Sequence, residues 1–126
     1  MARGDDVLVV EDDDELRDTV AEVLRDEGFS VSSVSNGVEA LGYLDTHPPP
    51  GVIVLDLMMP VMSGSEFRKR QLDDPRSAKI PVIVMSSAAD GQAVAKSLRV
   101  DTFLAKPPTM DVLIRAVAKL REKQRE

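Results

Sequence analysis

Three stretches of this chain are apolar at every position: Val7-Leu8-Val9-Val10, Val52-Ile53-Val54-Leu55 and Val82-Ile83-Val84-Met85. Successive residues of a strand point to opposite faces, so a strand with one wet face alternates apolar and polar side chains. A strand that is apolar throughout must be covered on both faces, the condition of a parallel sheet sandwiched between helices. Two weaker strands complete the set. Residues 30–34 alternate, as a half-exposed edge does, and Phe103-Leu104-Ala105 is the other.

Helical patterns fill the gaps between these strands. Leu16, Val20, Val23 and Leu24 form one apolar stripe, ended by Gly28. Asn36-Gly37 opens a second helix with Val38, Leu41 and Leu44 on one face, and it stops before Pro48-Pro49-Pro50 because proline cannot continue a helix. Ser63 can cap a third helix around Phe67, and Asp90 a fourth containing Val94 and Leu98. Thr109 can cap the last, with Leu113, Ile114, Val117 and Leu120 facing inward. Five βα units in succession predict an α/β, doubly wound sheet with helices on both faces.

The chain has 126 residues, enough for one domain. Its apolar runs are far short of the roughly 20 residues that cross a bilayer, and the N-terminus lacks the apolar region of a signal peptide. Cysteine is absent, which excludes disulfides, thiolate metal sites and cysteine nucleophiles and favours a reducing, cytoplasmic setting. A net charge of −6 disfavours direct nucleic-acid binding.

Ligands of doubly wound sheets bind at the C-terminal ends of the strands, where the winding direction changes. The residues there are Glu11-Asp12-Asp13 after the first strand, Asp56 after the third, Ser86 after the fourth and Lys106 after the fifth. This gathers carboxylates, a hydroxyl and an ammonium on one rim. Crowded carboxylates without histidine or cysteine suit a hard cation such as Mg²⁺. A carboxylate can itself attack phosphorus to give an aspartyl phosphate. Lys106 would then act as a point charge on the phosphoryl group and Ser86 as a hydrogen-bond donor.

Five separated motifs, in order, make the chain resemble a response-regulator receiver domain of two-component signalling over about residues 6–120. They are Val9-Val10-Glu11-Asp12-Asp13; Leu55-Asp56-Leu57-Met58-Met59-Pro60 with Gly64; Pro81-Val82-Ile83-Val84-Met85-Ser86; Phe103; and Lys106-Pro107. The resemblance implies a flavodoxin-like (βα)5 sandwich with strand order 2-1-3-4-5. It implies Asp56 as phosphoacceptor, and Glu11, Asp12, Asp56 and the Met58 backbone carbonyl as ligands of Mg²⁺, with Mn²⁺ as substitute. Ser86 and Lys106 would hold the phosphoryl group, and Ser86 and Phe103 would form the switch. A cis bond is implied at Lys106-Pro107. Such a domain is not an enzyme with an external product: it catalyses only its own phosphorylation and dephosphorylation. The implied partners are a histidine kinase or histidine phosphotransfer protein, and a downstream protein target or an output domain. No membrane contact is implied, and the state is a monomer or a weak dimer through the fourth helix, fifth strand and fifth helix. Residues 1–126 read as a single receiver domain, with 121–126 as helix end or linker.

Several positions depart from the family pattern. The stretch from Ser86 to Lys106 is short and carries Leu98-Arg99-Val100 where small residues are usual, so a fourth helix that is short, displaced or poorly ordered is expected. Ser65, Arg68 and Gln71 stand where a third helix should be apolar, which leaves Phe67 as its main inward anchor, with Leu72 nearby. Arg68-Lys69-Arg70 reads as a solvated face, and Met58, Met59 and Met62 as gap fillers. Phe103 fits plain core packing as well as switching. A haloacid-dehalogenase-like phosphatase also uses an aspartate nucleophile, but that family needs a second acid where Met58 stands. A binding module with a relict site is opposed by the intact acidic pair, acceptor, hydroxyl and lysine.

Overall fold

The computed structural model describes residues 4–124. These form five strands and five helices in strict alternation: β1 (Val7–Val10), α1 (Asp14–Asp26), β2 (Val31–Val34), α2 (Gly37–Thr46), β3 (Val52–Asp56), α3 (Gly64–Asp73), β4 (Val82–Ser86), α4 (Gly91–Ser97), β5 (Thr102–Ala105) and α5 (Met110–Lys123). All strand pairs are parallel and the order is β2-β1-β3-β4-β5, as the resemblance implied. Residues 1–3 of the N-terminal stretch and 125–126 of the expected helix end lie outside the described residues.

The fully apolar runs are buried on both faces, and their alternate residues serve two separate cores. Leu8, Val10, Ile53, Leu55, Val82 and Val84 pack under α2, α3 and α4 with Ala40, Tyr43, Phe67 and Ala95. Val7, Val9, Val52, Val54, Ile83 and Met85 pack under α1 and α5 with Val20, Leu24, Leu113 and Val117. Each such side chain contributes about 1.5–3 kcal/mol through burial, which is why β1, β3 and β4 hold the centre and the mixed strand β2 lies at the edge.

Local chemistry sets most helix boundaries. The Asn36 side chain accepts from the Glu39 N–H at 2.9 Å and Ser63 from the Glu66 N–H at 3.2 Å, as expected of caps. Gly28, at φ 96°, ends the first helical segment in the left-handed region. Asp90 and Thr109 occupy the N-cap positions of α4 and α5, but neither side chain makes a capping hydrogen bond.

The helix faces also differ in places from the periodic reading. Val38 and Leu72 are exposed, at 50% and 39%. Gly37, Ala40 and Tyr43 are the buried residues of α2, with the expected Leu41 and Leu44 partly buried against the same core, and Gly37 sits tightly against Met62. In α3, Arg68 and Gln71 are buried, so Arg68 does not belong to a solvated face. They satisfy each other and the backbone: Arg68 Nη1 donates to Gln71 Oε1 at 2.9 Å, and Gln71 Nε2 donates to the carbonyls of Ser77 and Ile80. Helix α4 is short, at seven residues, and Leu98 is its C-cap and not an interior position.

Candidate functional site

The sheet changes winding direction between β1 and β3, and the predicted residues converge at that rim. Glu11 follows β1 directly and is fully buried, while Asp56 closes β3 at 1% exposure. Asp12 is exposed beside them. One carboxylate oxygen from each of Glu11, Asp12 and Asp56 can be chosen so that all lie within 4.8 Å of one another.

Asp13, the neighbour in the acidic run, does something else. Its side chain accepts from the Leu16 N–H at 2.9 Å and caps α1, and its own N–H donates to Glu11 Oε2 at 3.0 Å. Asp14 pairs with Arg17 at 2.6 Å. The run therefore divides into two site acids, a cap that orients one of them, and a helix-surface pair. The cap was legible in principle, because an aspartate three residues before an apolar helical residue is an N-cap signal.

Lys106 reaches this cluster from the end of β5. Its ammonium lies 2.7 Å from Glu11 Oε1 and 3.3 Å from Asp56 Oδ2. The Lys106-Pro107 bond is cis, as the resemblance implied. Apart from this ammonium, Glu11 Oε1 and Asp56 Oδ2 are buried with no hydrogen-bond partner among the described residues. The second oxygen of Asp56 accepts from the Met58 N–H at 3.1 Å. The Met58 side chain is 63% exposed and fills no gap, whereas Met62 is buried and Met59 packs partly against the core.

Three carboxyls beside one ammonium leave an excess of negative charge. Burial pushes the Asp56 carboxyl up to about 7, with Asp12 and Glu11 adding to the rise and the Met58 N–H and Lys106 opposing it. Partial burial raises Asp12 too, but hydrogen bonding with Asp56 and Glu11 outweighs that and holds it below its usual range. Burial works against the charge of Lys106, yet Glu11 and Asp56 overcome it and hold the ammonium above its usual value. An all-oxygen donor set with two unsatisfied buried oxygens fits a hard divalent cation.

Ser86 closes β4 at 1% exposure, and its hydroxyl oxygen accepts from the Ala88 N–H at 3.1 Å. Phe103 is half-buried and packs against the core under α2, α3 and α4. Gly91 lies close to both. A Cβ on Gly91 would fall 2.9 Å from Ser86 Oγ and 3.2 Å from Phe103 Cε1, so the first residue of α4 is in contact with both members of the expected switch. Gly91 was not singled out from sequence, since a glycine opening a helix is common. On the other side of Asp56, the loop to α3 carries Val61 at φ 71° and 83% exposure. A β-branched residue in the left-handed region costs about 1–2 kcal/mol, so the acceptor loop is under backbone strain.

Comparison with known proteins identifies the family of the fold. A family model described as the response regulator receiver domain matches residues 7–118. The chain is 33% identical to the alkaline phosphatase synthesis transcriptional regulatory protein SphR of Synechococcus elongatus, covering 95% of this chain and 50% of that protein. It is 35% identical to the two-component response regulator ORR11 of Oryza sativa, covering 80% of this chain and 70% of that protein. The structure of the Francisella response regulator 1452 receiver domain superposes with a TM-score of 0.84 at 28% identity, covering 94% of this chain and 97% of that one. The chain thus spans half the length of SphR and about seven-tenths of ORR11.

Proposed function

The chain belongs to the response-regulator receiver family, and we propose that Asp56 is its phosphoacceptor, with Ser86 and Lys106 as the residues that hold the phosphoryl group. Receiver domains are the phosphoacceptor signalling modules of two-component systems, so this is a signalling domain and not an enzyme in the ordinary sense. One observation carries the residue assignment. Asp56 ends a central strand with a buried oxygen that has the Lys106 ammonium at 3.3 Å and no hydrogen-bond partner among the described residues.

In the proposed reaction an Asp56 oxygen attacks the phosphorus of a phosphohistidine. The new O–P bond forms as the P–N bond breaks, and the electron pair leaves on the imidazole nitrogen, which takes a proton. The donor is a histidine kinase or a histidine phosphotransfer protein. Glu11, Asp12, Asp56 and the Met58 backbone carbonyl would hold Mg²⁺, with Mn²⁺ as a substitute, and the cation would offset the carboxylates' repulsion and screen the incoming phosphoryl oxygens. Lys106 already faces Asp56 and would exchange part of its contact with Glu11 for a phosphoryl oxygen. The Ser86 oxygen accepts from Ala88, which leaves its proton to donate. Catalysis is confined to this self-phosphorylation and its hydrolysis.

The output is a shift of Ser86 toward the phosphoryl group, with Phe103 moving into the space it leaves. Hydrogen bonds to a charged group contribute about 1.5–3 kcal/mol each, so two contacts supply about 3–6 kcal/mol. Reversing a 1:99 population takes roughly 5.5 kcal/mol, and two differential contacts are on that scale. Residues 1–126 act as one receiver, with its core at about 6–120, that addresses a protein target or output domain from the cytoplasm, as a monomer or a weak dimer through α4, β5 and α5. Its net charge of −6 disfavours direct contact with nucleic acid. Among the described residues no helix is long and apolar enough to cross a membrane.

Incubation with acetyl phosphate or phosphoramidate and Mg²⁺ tests the assignment. An adduct of about 80 Da should appear, map to Asp56 and be lost in Asp56→Asn. Folded protein that stays unmodified under saturating donor would overturn it.

A further inference from the structure

Two helices of this protein end in the same hydrogen-bonded turn. After α1, the Phe29 N–H donates to the Leu24 carbonyl at 3.1 Å and the Gly28 N–H to the Arg25 carbonyl at 2.9 Å. After α4, the Val100 N–H donates to the Ala95 carbonyl at 3.3 Å and the Arg99 N–H to the Lys96 carbonyl at 3.1 Å. This turn needs one residue in the left-handed region, where glycine meets no Cβ penalty and other residues do. The residue is Gly28 at φ 96° in the first case and Arg99 at φ 57° in the second. So α4, only seven residues long and without a side-chain cap at Asp90, closes on the less favourable version of the turn. A helix that short draws its stability from its surroundings.

The support comes from α3. Arg68 is 4% exposed. Its Nε donates to the Leu98 carbonyl at 3.1 Å and its Nη2 to the Arg99 carbonyl at 2.9 Å, while Nη1 is held by Gln71. The hydrogen-bond partners of this buried guanidinium are neutral oxygens, two of them carbonyls at the negative end of a helix that would otherwise be orphaned. Helix α3 in turn starts hard against the acceptor strand. The Gly64 N–H donates to the Leu57 carbonyl at 3.0 Å, and a Cβ at Gly64 would fall 2.3 Å from the Asp56 carbonyl oxygen.

We propose that Arg68 is a positioning residue that pins the C-terminal end of α4 to α3. The pinned end is the fixed point of a pivot. The N-terminal end, where Gly91 touches Ser86 and Phe103, is free to follow the phosphoacceptor. The pivot rests on the functional reading of Asp56 and Ser86, and the pin does not.

Amide hydrogen exchange followed by NMR tests the pin in the unphosphorylated protein. Arg68→Met should speed exchange at Leu98, Arg99 and Val100 by about tenfold or more, with a smaller change in β1 and β3. Adding Arg99→Gly to that variant should slow those three amides again, because glycine supplies the left-handed residue without help. A lost buried bond elsewhere would not be rescued there. Wild-type exchange at the three amides in Arg68→Met would overturn the pin. Should that variant not fold, Arg68→Lys keeps the charge without the planar fork and should give intermediate rates, and wild-type rates in it would overturn the pin equally. After phosphorylation with acetyl phosphate and Mg²⁺, amide shifts should change more at residues 88–93 than at 98–100. Equal changes at both ends overturn the pivot. Failure to form the Asp56 adduct at all overturns the functional reading, and the pivot with it, while the exchange rates still decide the pin.

Discussion

At 1% exposure and with Lys106 3.3 Å away, Asp56 carries its negative charge at an energetic cost. Burial is the leading cause of its rise to about 7. The sign of the consequence follows from proton linkage. Below the unfolded carboxyl value, near 4, both states hold the proton and no penalty exists. Between there and about 7 the folded state binds more protons than the unfolded one, so rising pH removes stability. Above that the full penalty is present. Asp56→Asn, which cannot ionise, should therefore be more stable than wild type in chelator at about pH 8, by on the order of 2 kcal/mol, and closer to it at about pH 4.5. Guanidinium denaturation midpoints measure this, and Mg²⁺ should narrow the gap at the higher pH by binding the wild-type carboxylates. A gap that does not depend on pH would show that Asp56 is not held under strain by burial. The acid was legible in sequence because it ends an apolar strand. The burial that raises it was not, since burial depends on what β1 and β5 bring alongside.

Helix ends show the limits of local reading at the next scale. Asn36, Ser63, Asp90 and Thr109 all have the composition of N-caps. Only the first two of these make the bond, because capping needs the side chain aimed back at the free N–H groups, and residue type alone does not set that aim. Asn36→Ala should cost about 1 kcal/mol in urea denaturation, while Thr109→Ala should stay within about 0.5 kcal/mol of wild type. Equal losses would mean that Thr109 caps α5 in solution. Helix α3 makes the same point about faces. Arg68 and Gln71 broke the apolar period, and a polar residue at a core position reads as solvated until a partner is known. Here the partners are carbonyls of Leu98, Arg99, Ser77 and Ile80, as many as 31 residues away in sequence.

For the molecule as a whole, the acceptor and the α4 surface are joined by two routes. One runs through Ser86 and Gly91 to the start of α4, and the other through α3 and Arg68 to its end. Ser86→Ala removes the hydroxyl from the first route and leaves the carboxylate cluster intact. The variant should still form the Asp56 adduct with acetyl phosphate, while the amide shifts of α4 and β5 on phosphorylation shrink severalfold, since one of two contacts of about 1.5–3 kcal/mol is gone. A full response in the alanine variant would remove Ser86 from the coupling.

The order of elements, the central strands and the chemistry of the rim were determined by the sequence alone. Two-sided burial leaves runs such as Val52-Ile53-Val54-Leu55 no other home, and a doubly wound sheet delivers its strand ends to one edge. Tertiary structure decided how the acidic run divides, with Glu11 and Asp12 in the site and Asp13 on the helix cap. It also decided that Arg68 is buried and that Gly91 packs against both Ser86 and Phe103. Each of these depends on distances between residues far apart in the chain. Periodicity reports which face a residue is on, but what stands opposite that face is set only when the layers pack.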